Sequence, residues 1–116
     1  PEIKAEQYTL EFANRDTWNT GLDDDARKGF QVLKLFKEHG FEGEIGIGVS
    51  DVHVNEIESP ELIRDRILYA AKALGDPTKV YVNPDCGLRT RTREVSFDKI
   101  RSIVKGAELA RKNLTK

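Results

Sequence analysis

The chain has 116 residues, 38% hydrophobic and 34% charged, with 19 Lys and Arg against 20 Asp and Glu. That length holds one domain and not two, and the apolar fraction supports a core, which excludes a wholly disordered chain. The net charge of −1 offers no global pull toward nucleic acid or anionic membrane.

No run of about 18 apolar residues is present to span a bilayer, and no charged-then-apolar leader opens the chain. A lone cysteine excludes an internal disulfide and favours a reducing compartment, the cytoplasm. The sequence opens at Pro1 with no initiator Met, which fits either a trimmed Met or a piece of something longer. No repeat or linker divides it, so residues 1–116 are read as one unit.

In chain order, Tyr8-Thr9-Leu10-Glu11-Phe12 alternates apolar and polar residues and predicts a strand. Asp23 to His39 predicts a helix, acidic in its first turn, with inward positions at Phe30, Leu33 and Phe36 or Lys37 and Gly40 as the stop. Ile45 to His53 predicts the second strand. Ser59-Pro60-Glu61 is a cap with proline at the first helical position. Behind it Leu62, Ile63, Ile67, Ala70, Ala71 and Leu74 form a 3.6-residue stripe that ends at Gly75. Lys79-Val80-Tyr81-Val82 predicts a third strand, stopped by Asn83-Pro84-Asp85. Ser96 is placed to cap a last helix with Ile100, Ile103, Val104, Ala107 and Leu114 inward.

The order is βαβαβα, an α/β pattern that implies parallel strands. Both a doubly wound sheet and a slice of a (β/α)8 barrel fit it. In either, chemistry gathers where the C-terminal ends of the strands meet their loops.

Three polar groups lie at such ends. Glu11 sits in an apolar strand, where a carboxylate is costly to bury unless paired or metal-bound; the polar face of an edge strand is the plainer account. Asp51-Val52-His53 ends the second strand, and a carboxylate beside a histidine tunes an acid that works near neutrality; a surface loop with a capping Asp is the plainer account. Cys86 follows the third strand with Arg89, Arg91 and Arg93 nearby, cations that favour a thiolate; a buried structural thiol is the plainer account. Gly46-Ile47-Gly48 lacks a third glycine and a following helix, so it is no dinucleotide fingerprint. The arginine run reads as a solvated loop, Trp18 as packing, and His39 as a complement to a helix C-terminus.

Glu and Cys with His nearby form part of a zinc-type ligand set, but tetrahedral zinc takes about four ligands. The residues carrying these groups resemble a known family. Val82-Asn83-Pro84-Asp85-Cys86-Gly87-Leu88-Arg89-Thr90-Arg91 is similar to the C-terminal signature of cobalamin-independent methionine synthases. Gly48-Val49-Ser50-Asp51-Val52-His53 resembles that family's Gly-Val-x-Asp-Ile-His strand, and Thr9-Leu10-Glu11 its Thr-Ile-Glu strand. The departures are Arg89 where Lys is more usual, Val54-Asn55 in place of Ser-Pro, and Phe12-Ala13-Asn14 in place of small polar residues.

The resemblance implies the last three units of a (β/α)8 TIM barrel, a fold that typically needs about 250 residues. It further implies a methyltransferase that methylates the homocysteine thiol to form methionine, with Glu11 and Cys86 as zinc ligands and His53 as the catalytic proton donor. The methyl donor is methyltetrahydrofolate or, as in short-form relatives, a methylcorrinoid. The other zinc ligands, a His-x-Cys pair, and the substrate-binding residues belong upstream in the family, in the same gene or a partner chain. The 116-residue piece is therefore expected to be inactive alone. Two other readings are zinc-dependent alkyl transfer to another thiol such as coenzyme M, and a non-catalytic half-barrel assembly module.

Overall fold

The computed structural model describes residues 7–40, 44–51, 54–84 and 92–114, with the backbone alone for 7–11 and 83–84. Strands β1 (Gln7–Glu11), β2 (Glu44–Ser50) and β3 (Val80–Pro84) form a parallel sheet in the order β1-β2-β3. Helices α1 (Leu33–Glu38), α2 (Pro60–Leu74) and α3 (Arg93–Leu114) follow the three strands in turn. The expected βαβαβα order and parallel pairing are therefore present. Among the described residues no helix is long and apolar enough to cross a membrane.

Strand side chains alternate between faces. In β2 the alternation puts Ile45, Ile47 and Val49, all fully buried, on one face. They join a single core with Phe30 and Leu33, with Ile63, Ile67 and Ala70 of α2, and with Ile103 of α3. Glu44, Gly46 and Gly48 fall on the other face. There Tyr81, in register with Gly46, is 45% exposed and its hydroxyl donates to Glu44 Oε2 at 2.8 Å. The helices thus cover one side of the sheet.

Helix α2 matches its sequence signals. Ser59 Oγ accepts from Leu62 N–H, Pro60 takes the first turn, and Gly75 closes the helix at φ +79°, a conformation that disfavours a Cβ. The stripe from Leu62 to Leu74 is buried as expected.

The segment before α1 differs from expectation. The predicted helix over Asp23 to His39 is α-helical only at Leu33–Glu38, preceded by a 3₁₀ turn at Lys28–Phe30. Gly29 N–H, which a continuous helix would spend on the carbonyl four residues back, donates instead to Asp16 Oδ1 at 3.1 Å. Gly29 also lies so close to residues 12–16 that a Cβ there would stand 2.7 Å from Phe12 O and Asp16 N. Packing against that loop overrides the helical pattern. Phe30 and Leu33 are nonetheless buried, Phe36 packs on the core, and Gly40 takes φ +69° beyond the helix end.

Further boundaries move: β2 ends at Ser50, with Asp51 already outside the strand that the sequence carries to His53. Strand β3 runs on through Asn83 to Pro84, which pairs with Ser50, where the sequence predicts a stop. Among the described residues β3 pairs with β2 alone, and a register shift falls between Gly48 and Ser50. An edge strand and a bulge are the places where proline is tolerated in a sheet. Helix α3 starts earlier than Ser96, and Thr92 Oγ1 accepts from Val95 N–H at 3.2 Å.

The inward face of α3 also differs. Lys99, Ser102, Ile103, Gly106 and Ala110 are buried, whereas Ile100, Val104 and Leu114 are roughly half exposed. Close approach of α3 to α2 decides this rotation, because a Cβ on Gly106 would lie 2.5 Å from Ile63 Cβ and 2.9 Å from Pro60 O. Gly106→Ala gains about 1 kcal/mol of helix propensity, but overpacking against a β-branched side chain and a backbone carbonyl costs about 1–3 kcal/mol. The expected result is a lowered urea midpoint; a raised midpoint would show that the two helices separate freely.

Candidate functional site

Parallel pairing brings the C-terminal ends of the three strands to one edge. Glu11, the last residue of β1, is in register with Gly48, and Gly48 with Asn83. Glu11 therefore stands in one row with the strand end that leads to Cys86. His53 and Cys86 themselves lie outside the described residues, two positions beyond Asp51 and Pro84 respectively. Among the described residues no group of three or more His, Cys, Asp and Glu side chains could hold a metal. Glu11 and Cys86 have donor chemistry that zinc accepts, and two donors alone fall short of the about four it takes.

The structure brings together residues at this edge that the sequence patterns did not single out. Glu58, in the loop between β2 and α2, is 1% exposed. Its Oε1 accepts from Ser50 Oγ at 3.0 Å and Lys99 Nζ at 3.2 Å. Its Oε2 accepts from Asp51 N–H at 2.7 Å and Arg66 Nη1 at 3.1 Å. Lys99 Nζ also donates to Glu56 O at 2.7 Å, and Ser102 Oγ donates to Glu58 O. The loop between β2 and α2 is thus tied to α3 as well as to the strand end.

Arg66 extends the cluster. Its Nη1 donates to Val49 O at 2.8 Å, its Nη2 to Thr17 O at 3.1 Å, and its Nε to Asp16 Oδ2 at 2.9 Å. The same Asp16 oxygen lies 3.2 Å from Arg27 Nε, and Arg27 Nη2 donates to the carbonyls of Thr17 and Asn19. Arg27, Arg66 and Lys99 are all fully buried. Burial pushes the Asp16 carboxyl above its ordinary value, against the lowering pull of Arg27 and Arg66. Burial likewise holds the Arg27 guanidinium below its ordinary value, while Asp16 pulls it back.

A signal for two of these residues is present in the sequence. Arg66 interrupts the apolar stripe of α2 between Ile63 and Ile67, and Lys99 falls at helical spacing from Ile103. A cation on an inward stripe requires a buried partner. Trp18, expected to be packing, is 42% exposed and lies with the Arg66 guanidinium 5.8 Å from its ring centroid. His39 stands at the C-terminus of α1, as expected. Of the arginine run, Arg93 opens α3, and Arg89 and Arg91 lie outside the described residues.

Comparison with known proteins bears on this edge. Residues 22–109 match the family described as cobalamin-independent synthase, catalytic domain. A methionine synthase of Thermoplasma acidophilum is 50% identical over 120 aligned positions, covering all of this chain and 34% of the relative. One from Thermoplasma volcanium is 43% identical over the same shares, and one from Thermococcus kodakarensis is 34% identical over 99% of this chain and 30% of its own length. The chain spans about a third of the length of these curated relatives. In fold it is similar to a B12-independent methionine synthase from Shewanella sp. W3-18-1, solved in complex with selenomethionine. That match has a TM-score of 0.72 at 24% identity and covers 95% of this chain and 28% of the other.

Proposed function

Because the chain belongs to the catalytic-domain family of the cobalamin-independent methionine synthases, we propose that it forms the last three units of a zinc-dependent (β/α)8 barrel that methylates homocysteine. The observation that carries this reading is the strand register, which sets Glu11 beside Gly48 and Gly48 beside Asn83 at the C-terminal edge. Functional residues of such barrels cluster at that edge.

In this reading Glu11 and Cys86 hold zinc, with the remaining donors supplied by the preceding part of the barrel. When bound, zinc would acidify the homocysteine thiol, since a coordinating thiol is deprotonated near neutral pH. His53 donates a proton to the departing nitrogen when the methyl donor is methyltetrahydrofolate, which makes that nitrogen a better leaving group. A methylcorrinoid donor would give His53 no such task. The reaction belongs in the cytoplasm, where reduced thiols persist.

Exposed apolar side chains support this reading. Leu22, Val32 and Leu35 are exposed near α1, as are Phe97, Ile100 and Val104 on α3. Flanking βα units would cover both sets. The test mixes this chain with the preceding two-thirds of the Thermoplasma acidophilum relative, then measures bound zinc and methionine formation. The chain alone should bind zinc weakly and form no methionine, and the complex should bind one zinc and turn over. A complex that forms without zinc or methyl transfer would favour the non-catalytic assembly module instead. Transfer to coenzyme M rather than homocysteine would move the reading to the other thiol.

A further inference from the structure

The loop that follows β1 buries Phe12 and Phe30 but leaves Trp18 42% exposed. Tryptophan is highly buried on average, and the backbone that presents this one is firmly held. Fully buried Arg27 donates through Nη2 to Thr17 O at 3.0 Å and to Asn19 O, the residues on either side of Trp18. Arg66 Nη2 donates to the same Thr17 oxygen at 3.1 Å. Thr17 Oγ1 donates to Ala26 O at 2.6 Å and accepts from Asn19 N–H at 3.3 Å. Gly21 N–H donates to Asp65 Oδ2 at 2.8 Å, which ties the far side of the turn to α2.

This loop leaves the sheet directly after Glu11, at the C-terminal edge. The indole lies against Arg66, whose guanidinium carbon is 5.8 Å from the ring centroid and whose Nη1 reaches Val49 O near the end of β2. Trp18 therefore stands one side chain away from the strand end, with part of its ring open to solvent. A tryptophan has only two side-chain torsions, so on a fixed backbone it loses little entropy when a flat partner stacks on it.

We propose that Trp18 is a binding residue for the methyl donor, its open ring surface stacking on the donor's flat conjugated ring system, an assignment that rests on the methyl-transfer reading. The pterin of methyltetrahydrofolate and the corrin of a methylcorrinoid both offer such a surface. This chain then supplies one wall of the donor site, beside the groups furnished by the preceding part of the barrel. A tryptophan that only shields Arg66 from water would act otherwise: its loss would lower stability and leave the affinity for the donor unchanged.

The test uses the completed barrel, the preceding two-thirds of the Thermoplasma acidophilum relative joined to this chain in one polypeptide and loaded with zinc. Methyltetrahydrofolate and methylcobalamin are each measured by equilibrium dialysis without homocysteine, so no turnover is needed. The donor that binds should bind about tenfold more weakly to Trp18→Leu and within about twofold of wild type to Trp18→Phe, which keeps an aromatic face. Which of the two responds identifies the source of the ring. Bound zinc and the affinity for homocysteine should be unchanged in both variants.

Wild-type affinity for the donor in Trp18→Leu, or no binding of either donor to the wild-type barrel, would overturn the proposal. So would a parallel loss of donor, homocysteine and zinc, the mark of a structural role. Donor binding that depends on Trp18 without methionine formation would defeat the functional reading alone. Methionine formation with the same donor KM in Trp18→Leu as in wild type would defeat the stacking role alone.

Discussion

Arg66→Met is expected to cost about 3–5 kcal/mol of stability, the loss seen when one partner of a buried ion pair is removed. The side chain is fully buried and serves two carboxylates and two backbone carbonyls, Glu58, Asp16, Val49 and Thr17. Methionine fills much of the volume but returns no donor, so both carboxylates lose a counter-charge in a site that water does not reach. Domains of this size have only about 5–15 kcal/mol in total, so the variant should be largely unfolded at modest urea.

Lys34→Met provides the contrast. Its pair with Asp24 is shorter, at 2.7 Å, but the two side chains are 49% and 56% exposed. Solvent screens such a pair, and its loss should cost no more than about 1 kcal/mol. Equal urea midpoints for the two variants would refute the buried cluster as a main source of stability.

The second large effect concerns the metal. In the completed barrel, Cys86→Ala should abolish zinc binding and methionine formation together, because a tetrahedral site loses one of about four donors and its thiolate charge. Glu11→Gln should weaken zinc in the same direction. His53→Asn should keep zinc at the wild-type level while slowing methionine formation with a methylfolate donor by about a hundred- to ten-thousandfold, the range for a general acid. Zinc measured by emission spectrometry beside the rate assay separates the roles. A Cys86→Ala protein with full zinc and normal turnover would sink the ligand assignment, and a His53→Asn protein without zinc would make His53 a ligand instead.

The residues that matter for these two predictions became visible by different routes. Glu11, His53 and Cys86 stand in short motifs, and backbone pairing alone brings the C-terminal ends of β1, β2 and β3, Glu11 among them, to one sheet edge. Arg66 and Glu58 stand in no motif. Their partners come from Asp16, Val49 and Lys99, up to 50 positions away, and nothing local specifies such a meeting.

The same division runs through the fold. Helix α2 was readable because its determinants lie within its own turns: Ser59 caps, Pro60 starts, Gly75 ends, and the apolar stripe repeats at helical spacing. The predicted helix over Asp23 to His39 failed where Gly29 gives its N–H to Asp16, a partner outside the helix. Helix α3 is present with Ile103 and Ala107 turned to the core as expected, but Ile100, Val104 and Leu114 are not. The apolar residues Ile100 and Val104 are left half exposed so that Gly106 can bring α3 against Ile63.

The sequence by itself determined the βαβαβα order, the caps and stripe of α2, and the motifs that carry the family. These are signals that act through backbone conformation and side-chain periodicity over about ten residues. Only the tertiary structure decided that Pro84 stays in its strand, which side of α3 turns inward, and that Lys99, Arg66 and Glu58 meet at the end of β2. Burying a charge is favourable only when its partner is buried with it, and which partner arrives is settled by how the strands and helices pack.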